Sequence, residues 1–218
     1  MVRRDYILRM IEQLAAILAR TRGQIAGRQF ADADAELDKA FVELTGAGAE
    51  AVANLSETEL LAKLTLDAPT LVVREKTHVL IALLDEAGHL RAAQGREPEA
   101  HACRLKALDL MLGLKFQDFD FEFPEFVPQI DFLRDQLREA TLPLQTLAAL
   151  WRYHEGIGAY ARAEDSLASL LETQPDSPAL RHEARAFYER LLRQSDSALE
   201  SGNLPRAEVQ TGLAELRS

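Results

Sequence analysis

Residues Leu144–Ser177 read LQTLAALWRYHEGIGAYARAEDSLASLLETQPDS, and this stretch decides the fold. Leu147 and Leu150 before Gly158, and Leu167 with Leu170-Leu171 after it, recur at helical spacing, and Pro175 closes the stretch. Gly158 supplies the backbone freedom that a tight inter-helix turn needs, and the small Ala163 lets the second helix approach the first. The same rhythm returns in Gly95-x-Glu97-x-x-Ala100 and Gly202-x-Leu204-x-x-Ala207. Arg28-x-Phe30-x-x-Ala33 follows it too, with its glycine, Gly27, one place early.

Helical periodicity continues outward from there. Asp5 is placed to cap a first helix whose stripe runs Tyr6, Ile7, Met10, Ile11, Leu14, Ile17 and Leu18. Phe30, Ala33, Leu37, Ala40, Phe41 and Leu44 form a second stripe, stopped at Gly46. Ser56 with Glu59 makes a capping box for a short helix ending near Thr65. A long helix is expected after Pro69, with Val72, Val79, Leu80, Leu83, Leu84, Ala87 and Leu90 on one face. Pro98, Pro143, Pro178 and Pro205 sit where helix starts tolerate proline. The fold class is all-α, as antiparallel helix pairs.

With these residues in view, the chain resembles the tetratricopeptide repeat family. The matching positions are Leu147, Leu150, Gly158, Tyr160, Ala163, Leu167, Leu170-Leu171 and Pro175, with Trp151 and Leu170 standing where that family usually has small residues. A second unit, about 81–114, carries Leu84, Ala87, Gly88, Gly95, Ala100, Ala107 and Leu108 but no closing proline. The turns at 28, 95, 158 and 202 are 67, 63 and 44 residues apart, so the first two gaps are near twice the family's period of roughly 34. The resemblance implies an irregular right-handed superhelix over 1–218 as one domain. It would comprise irregular helices over 5–65, better units at 81–114 and 144–177, and a C-terminal helix pair over 178–217. Asp5-Tyr6-Ile7-Leu8-Arg9-Met10-Ile11-Glu12 is also similar to the opening of a small, functionally uncharacterised bacterial family with such repeats.

Composition narrows the function. The 218 residues are 47% hydrophobic and 28% charged, which suits a globular chain. A net charge of −10 opposes a phosphate-backbone partner, so no nucleic acid is expected. The twenty arginines are scattered rather than clustered. The longest uncharged run, Ala140 to Trp151, is too short to span a bilayer, and no apolar leader core opens the chain. A cytoplasmic protein without a membrane partner is the expectation. Cys103 is the only cysteine, so no disulfide or Cys/His zinc spacing arises.

Enzymatic motifs fail on context. Gly46 to Ala51 and Gly156 to Ala161 match Gly-x-Gly-x-x-Ala, but both follow helices, where a dinucleotide loop needs a strand. His154-Glu155 and His182-Glu183 lack the second histidine of a zinc helix. His78 and His89 are separated by roughly 16 Å of helical rise, too far to share a metal. No cofactor, metal or catalytic residue is expected, and the chain reads as a non-enzyme.

Two surfaces remain as candidates. Six of nine phenylalanines fall in an insert at 115–132, among them Phe119, Phe121, Phe123 and Phe126. In Asp118-Phe119-Asp120-Phe121-Glu122-Phe123 an extended backbone would set three rings on one side and three carboxylates on the other. Three readings are open: the rings cover the edge of the helix stack, dock on another subunit or partner, or lie in the protein's own groove. Docking on a second copy would make a homodimer.

The other surface is implied by the tetratricopeptide resemblance, in which first helices line a concave wall. Carried over residue by residue, that wall holds Ala82, Asp85, His89 and Ala92, then Gln145, Ala148, Arg152 and Glu155. The family's carboxylate clamp is absent, since Asp85, His89, Ala148 and Arg152 occupy its places. The expected role is a scaffold or adaptor binding a protein or peptide, with a sensor of a small ligand or signalling peptide, or an enzyme with an inter-helix site, as alternatives.

Overall fold

The structure is a computed structural model that describes residues 2–65 and 70–216, with side chains from residue 9 onward except 57, 70 and 71. The described residues are all-α, with no strand. They divide into two compact units, 1–141 and 142–218, where the sequence pattern suggests a single array.

The first unit holds α1 (Val2–Ala26), α2 (Phe30–Thr45), α3 (Ala49–Asn54), α4 (Glu57–Thr65), α5 (Thr70–Ala93), α6 (Glu97–Gln117) and α7 (Ile130–Gln136). Helix α1 is already under way at Asp5, so that residue lies inside the helix instead of capping it. The expected start after Pro69, and the side chains of Tyr6 and Ile7, lie outside the described residues. The Ser56–Glu59 box forms: the Ser56 amide donates to Glu59 at 2.8 Å and the Glu59 amide to Ser56 Oγ at 3.3 Å.

Helix α5 is the hub, packed against α1, α2, α4 and α6. Every residue from 77 to 88 is buried, so α5 is enclosed on all sides and not on one face alone. The apolar side chains expected from periodicity (Val72, Val79, Leu80, Leu83, Leu84, Ala87, Leu90) are all at or below 6% exposure.

The second unit holds α8 (Leu144–Gly156), α9 (Tyr160–Thr173), α10 (Pro178–Leu191), α11 (Asp196–Ser201) and α12 (Arg206–Glu215). Three helices thus occupy the span expected to hold a pair. Ser177 and Ser195 cap α10 and α11 through the amides of Leu180 (3.3 Å) and Ala198 (3.1 Å). The core joins Leu147 and Trp151 of α8, Ala163 and Leu167 of α9, Phe187 of α10, and Val209 and Leu213 of α12.

One turn recurs four times. Arg28 (φ 57), Gly95 (φ 74), Gly158 (φ 76) and Asn203 (φ 56) each take the left-handed conformation between two helices. In each, the following amide reaches back five residues: Gln29 to Gln24 (2.7 Å), Arg96 to Arg91 (2.8 Å), Ala159 to His154 (2.9 Å) and Leu204 to Leu199 (3.0 Å). The left-handed residue's own amide reaches back three, at 2.9–3.2 Å, completing a Schellman turn each time. In the first three, the next helix starts two residues on, and Ala33, Ala100 and Ala163 are fully buried.

The fourth turn departs from the sequence pattern. Gly202 has φ −80, Asn203 takes the left-handed place, and Ala207 is exposed. The reason is packing: a Cβ on Gly202 would stand 2.5 Å from the Gly158 carbonyl oxygen and strike the Tyr160 ring. Gly202 is used for close approach, and asparagine tolerates the strained position better than most residues.

Candidate functional site

Arg74, His78, Asp85 and His89 fall on one stripe of α5, since spacings of four, seven and four return close to the same helical face. The phenylalanine insert lies on this stripe. Helix α6 runs through Phe116 and α7 contains Phe132, so the irregular segment is 118–129. The Phe121 ring stacks on His78 (centroids 5.2 Å, planes 8° apart), and the Arg74 guanidinium lies 4.9 Å from its centre. Phe123 stands edge-on to both Phe121 (5.5 Å) and His78 (6.0 Å), with Lys115 Nζ 5.6 Å over its ring. Phe132 leans on His89 at 6.3 Å.

The alternating pattern does not persist as an extended strip. The Phe121 amide donates to the Asp118 carbonyl at 3.3 Å, and the Lys115 ammonium donates to the carbonyls of Phe119 (3.1 Å) and Phe121. That turn directs Phe121 and Phe123 onto α5 and leaves Phe119 exposed, 6.0 Å from the exposed Phe116. Phe126 is half-buried, and Val127 and Ile130 behind it enter the core.

Polar groups under this face are deeply placed. His78 is 1% exposed, with Nδ1 3.4 Å from Glu75 and Nε2 without a hydrogen-bond partner among the described residues. Burial holds the His78 imidazole below its ordinary value, against the opposing pull of Glu75. Its native pKa is therefore lower than its unfolded one, so the neutral ring favours folding. The unfolded chain takes up the proton first as pH falls through about 6.5, and stability drops there by at most about 1.4 kcal/mol per pH unit. Urea midpoints measured between pH 7.5 and 5 should fall less steeply in His78→Gln; equal slopes would remove the histidine as the cause.

Asp85 is also buried, not part of an open wall. Its Oδ2 stands 3.9 Å from His89 Nδ1, and its Oδ1 and the Nε of buried Arg104 lack hydrogen-bond partners among the described residues. Burial raises the Asp85 carboxyl, opposed by His89. Arg104 runs across Gly88, where a Cβ would come to 3.0 Å from its stem. About a quarter-turn round α5 from Asp85, buried Glu86 accepts from Arg22 Nε at 3.0 Å.

Of the other expected wall residues, Ala82 is buried and Ala92 half-buried on α5, and the rest lie in the second unit. Gln145 and Arg152 are exposed on α8, and Ala148 is half-buried. Glu155 accepts both arms of Arg190 from α10, at 2.7 and 2.9 Å. No sequence motif announces Arg190, 35 residues away.

A polar cleft of about 510 Å³ in the first unit also escaped sequence reasoning. Asp34, Asn54, Arg91, Arg96, Glu99 and Cys103 line it. Arg91 donates to both oxygens of Asp34, at 3.0 and 2.8 Å. Burial pushes the Cys103 thiol up, which opposes a thiolate nucleophile. Among the described residues no three His, Cys, Asp or Glu side chains gather to hold a metal, and no helix is long and apolar enough to cross a membrane.

The model of a family of unknown function, DUF6483, matches residues 1–218. The chain belongs to that family. No curated protein and no solved structure matches it. The DUF6483 assignment carries no activity, so the functional reading rests on the chain's own geometry.

Proposed function

We propose that this chain is a non-enzymatic adaptor, a tetratricopeptide-like array that binds a protein or peptide through its first-helix faces. The recurrence of one Schellman turn at Arg28, Gly95, Gly158 and Asn203 carries the reading. Helix pairs joined by the same turn are what stacked repeats are made of, and such stacks present extended binding surfaces. The α8 face fits the role, because Gln145 and Arg152 are exposed while Glu155 and Arg190 brace the helix from beside them. The family model adds no activity that competes with this reading.

The test is capture from native extract with wild type and with Gln145→Glu plus Arg152→Glu. A partner retained by wild type should fall at least tenfold with the variant, whose circular dichroism should stay unchanged. Equal retention by both would move the binding surface away from α8. A small-ligand sensor is the second reading, favoured by the polar cleft at Arg91, Arg96 and Asp34. A metabolite that raises the melting temperature of wild type but not of Arg96→Ala would select it.

A further inference from the structure

The segment 118–126 lies along the α5 face like a ligand tied to the protein. Both of its ends are fixed: Lys115 in α6 grips the carbonyls of Phe119 and Phe121, and Val127 and Ile130 are 6% and 4% exposed. Between those anchors Phe121 and Phe123 are only half-buried, and Asp120, Glu122 and Glu125 are exposed. The surface they cover is selective. It offers the flat His78 ring, the Arg74 guanidinium, and the Lys115 ammonium near Phe123, with Arg74 also 3.8 Å from Asp118. Rings stacked on an imidazole and cations, with carboxylates alongside, are what that surface accepts.

We infer that the Arg74–His78–Lys115 surface is a peptide-binding site whose resident occupant is residues 118–126. Its exogenous ligand is an irregular segment of a partner protein with two aromatic residues two apart among acidic ones. The inference rests on the adaptor reading and names the partner's chemistry at one surface of it. The tethered segment sets the threshold: a covalently attached competitor acts at an effective concentration on the order of millimolar, so only a well-matched partner displaces it. A second copy's segment has the same chemistry but no such advantage, and self-association is not expected at micromolar concentration.

The probe is a fluorescein-labelled peptide of residues 117–126, QDFDFEFPEF, titrated by anisotropy. Phe121→Ala with Phe123→Ala, which clears both rings from the site while its backbone anchors remain, should bind it at least tenfold more tightly than wild type. A peptide of the same composition with the phenylalanines moved together should bind at least tenfold more weakly, and Arg74→Glu in the emptied variant should abolish binding. Absence of binding to the emptied variant at 1 mM, or equal binding of both peptides, overturns the inference. So does a wild-type dimer in light scattering that Phe121→Asp with Phe123→Asp converts to monomer. Should the double alanine variant lose its cooperative melt, Phe121→Leu alone is titrated against the same thresholds. Failure here leaves the α8 capture result standing, whereas failure of that capture with success here moves the adaptor surface to α5.

Discussion

Phe187→Ala is expected to destabilise the second unit by about 3–5 kcal/mol. Phe187 is 0% exposed at the centre of that unit's core. Its ring meets Trp151 edge-on at 5.8 Å and Tyr188 at 5.2 Å, so its removal leaves a cavity between α8 and α10 and ends two aromatic contacts. A unit of this size has a stability of about 4–12 kcal/mol, so the loss is a large fraction of the whole. Trp151 is the only tryptophan and is 5% exposed, so its fluorescence follows this unit alone. Urea midpoints read by that signal measure the effect, and a loss below about 1 kcal/mol would mean the core is not assembled around this ring.

Gly202→Ala should cost the same unit about 2–3 kcal/mol, the upper part of the overpacking range. The added methyl would meet the Gly158 carbonyl, which is backbone and cannot rotate aside, as well as Tyr160. The Gly202 carbonyl also accepts the Ala161 amide at 3.0 Å, tying the turn before α12 to the first turn of α9, and relief of the clash would strain that bond. The comparison is Gly113→Ala inside α6, one turn before its end, where nothing lies within 4 Å of the new methyl. That change should stabilise by about 0.5–1 kcal/mol through helix propensity. Opposite signs for two Gly→Ala changes would show that packing, and not glycine's flexibility, fixes residue 202.

These contrasts mark how far the sequence could be read. Helix pairs were legible because spacing and turn chemistry are local, and Ala33, Ala100 and Ala163 are fully buried where the motif places them. The fourth turn was not, because its demand comes from Tyr160, 42 positions earlier, which claims the glycine for close approach and moves the left-handed residue to Asn203. Asp85 falls on the stripe that repeat logic assigns to the wall, yet α5 is packed on four sides, and periodicity registers a stripe without registering what covers the rest of a helix. The aromatic insert alternates with period two, but a turn organised by Lys115 replaces the extended strip, and a lysine's grip on carbonyls leaves no pattern in sequence. Glu155 falls on the wall that repeat logic assigns, but its partner Arg190 lies on another helix with no motif to link them.

Two of the four Schellman turns hold a residue other than glycine at the strained position, Arg28 and Asn203. Glycine relieves the left-handed penalty of a side-chain-bearing residue at some cost in unfolded-chain entropy, for a net gain of about 0.5–1 kcal/mol. Arg28→Gly and Asn203→Gly are made separately, the first followed by circular dichroism and the second by Trp151 fluorescence. The predicted result is a higher urea midpoint for each variant. A lower midpoint for both would contradict a left-handed residue at these positions, and with it the repeated helix pair on which the adaptor reading stands.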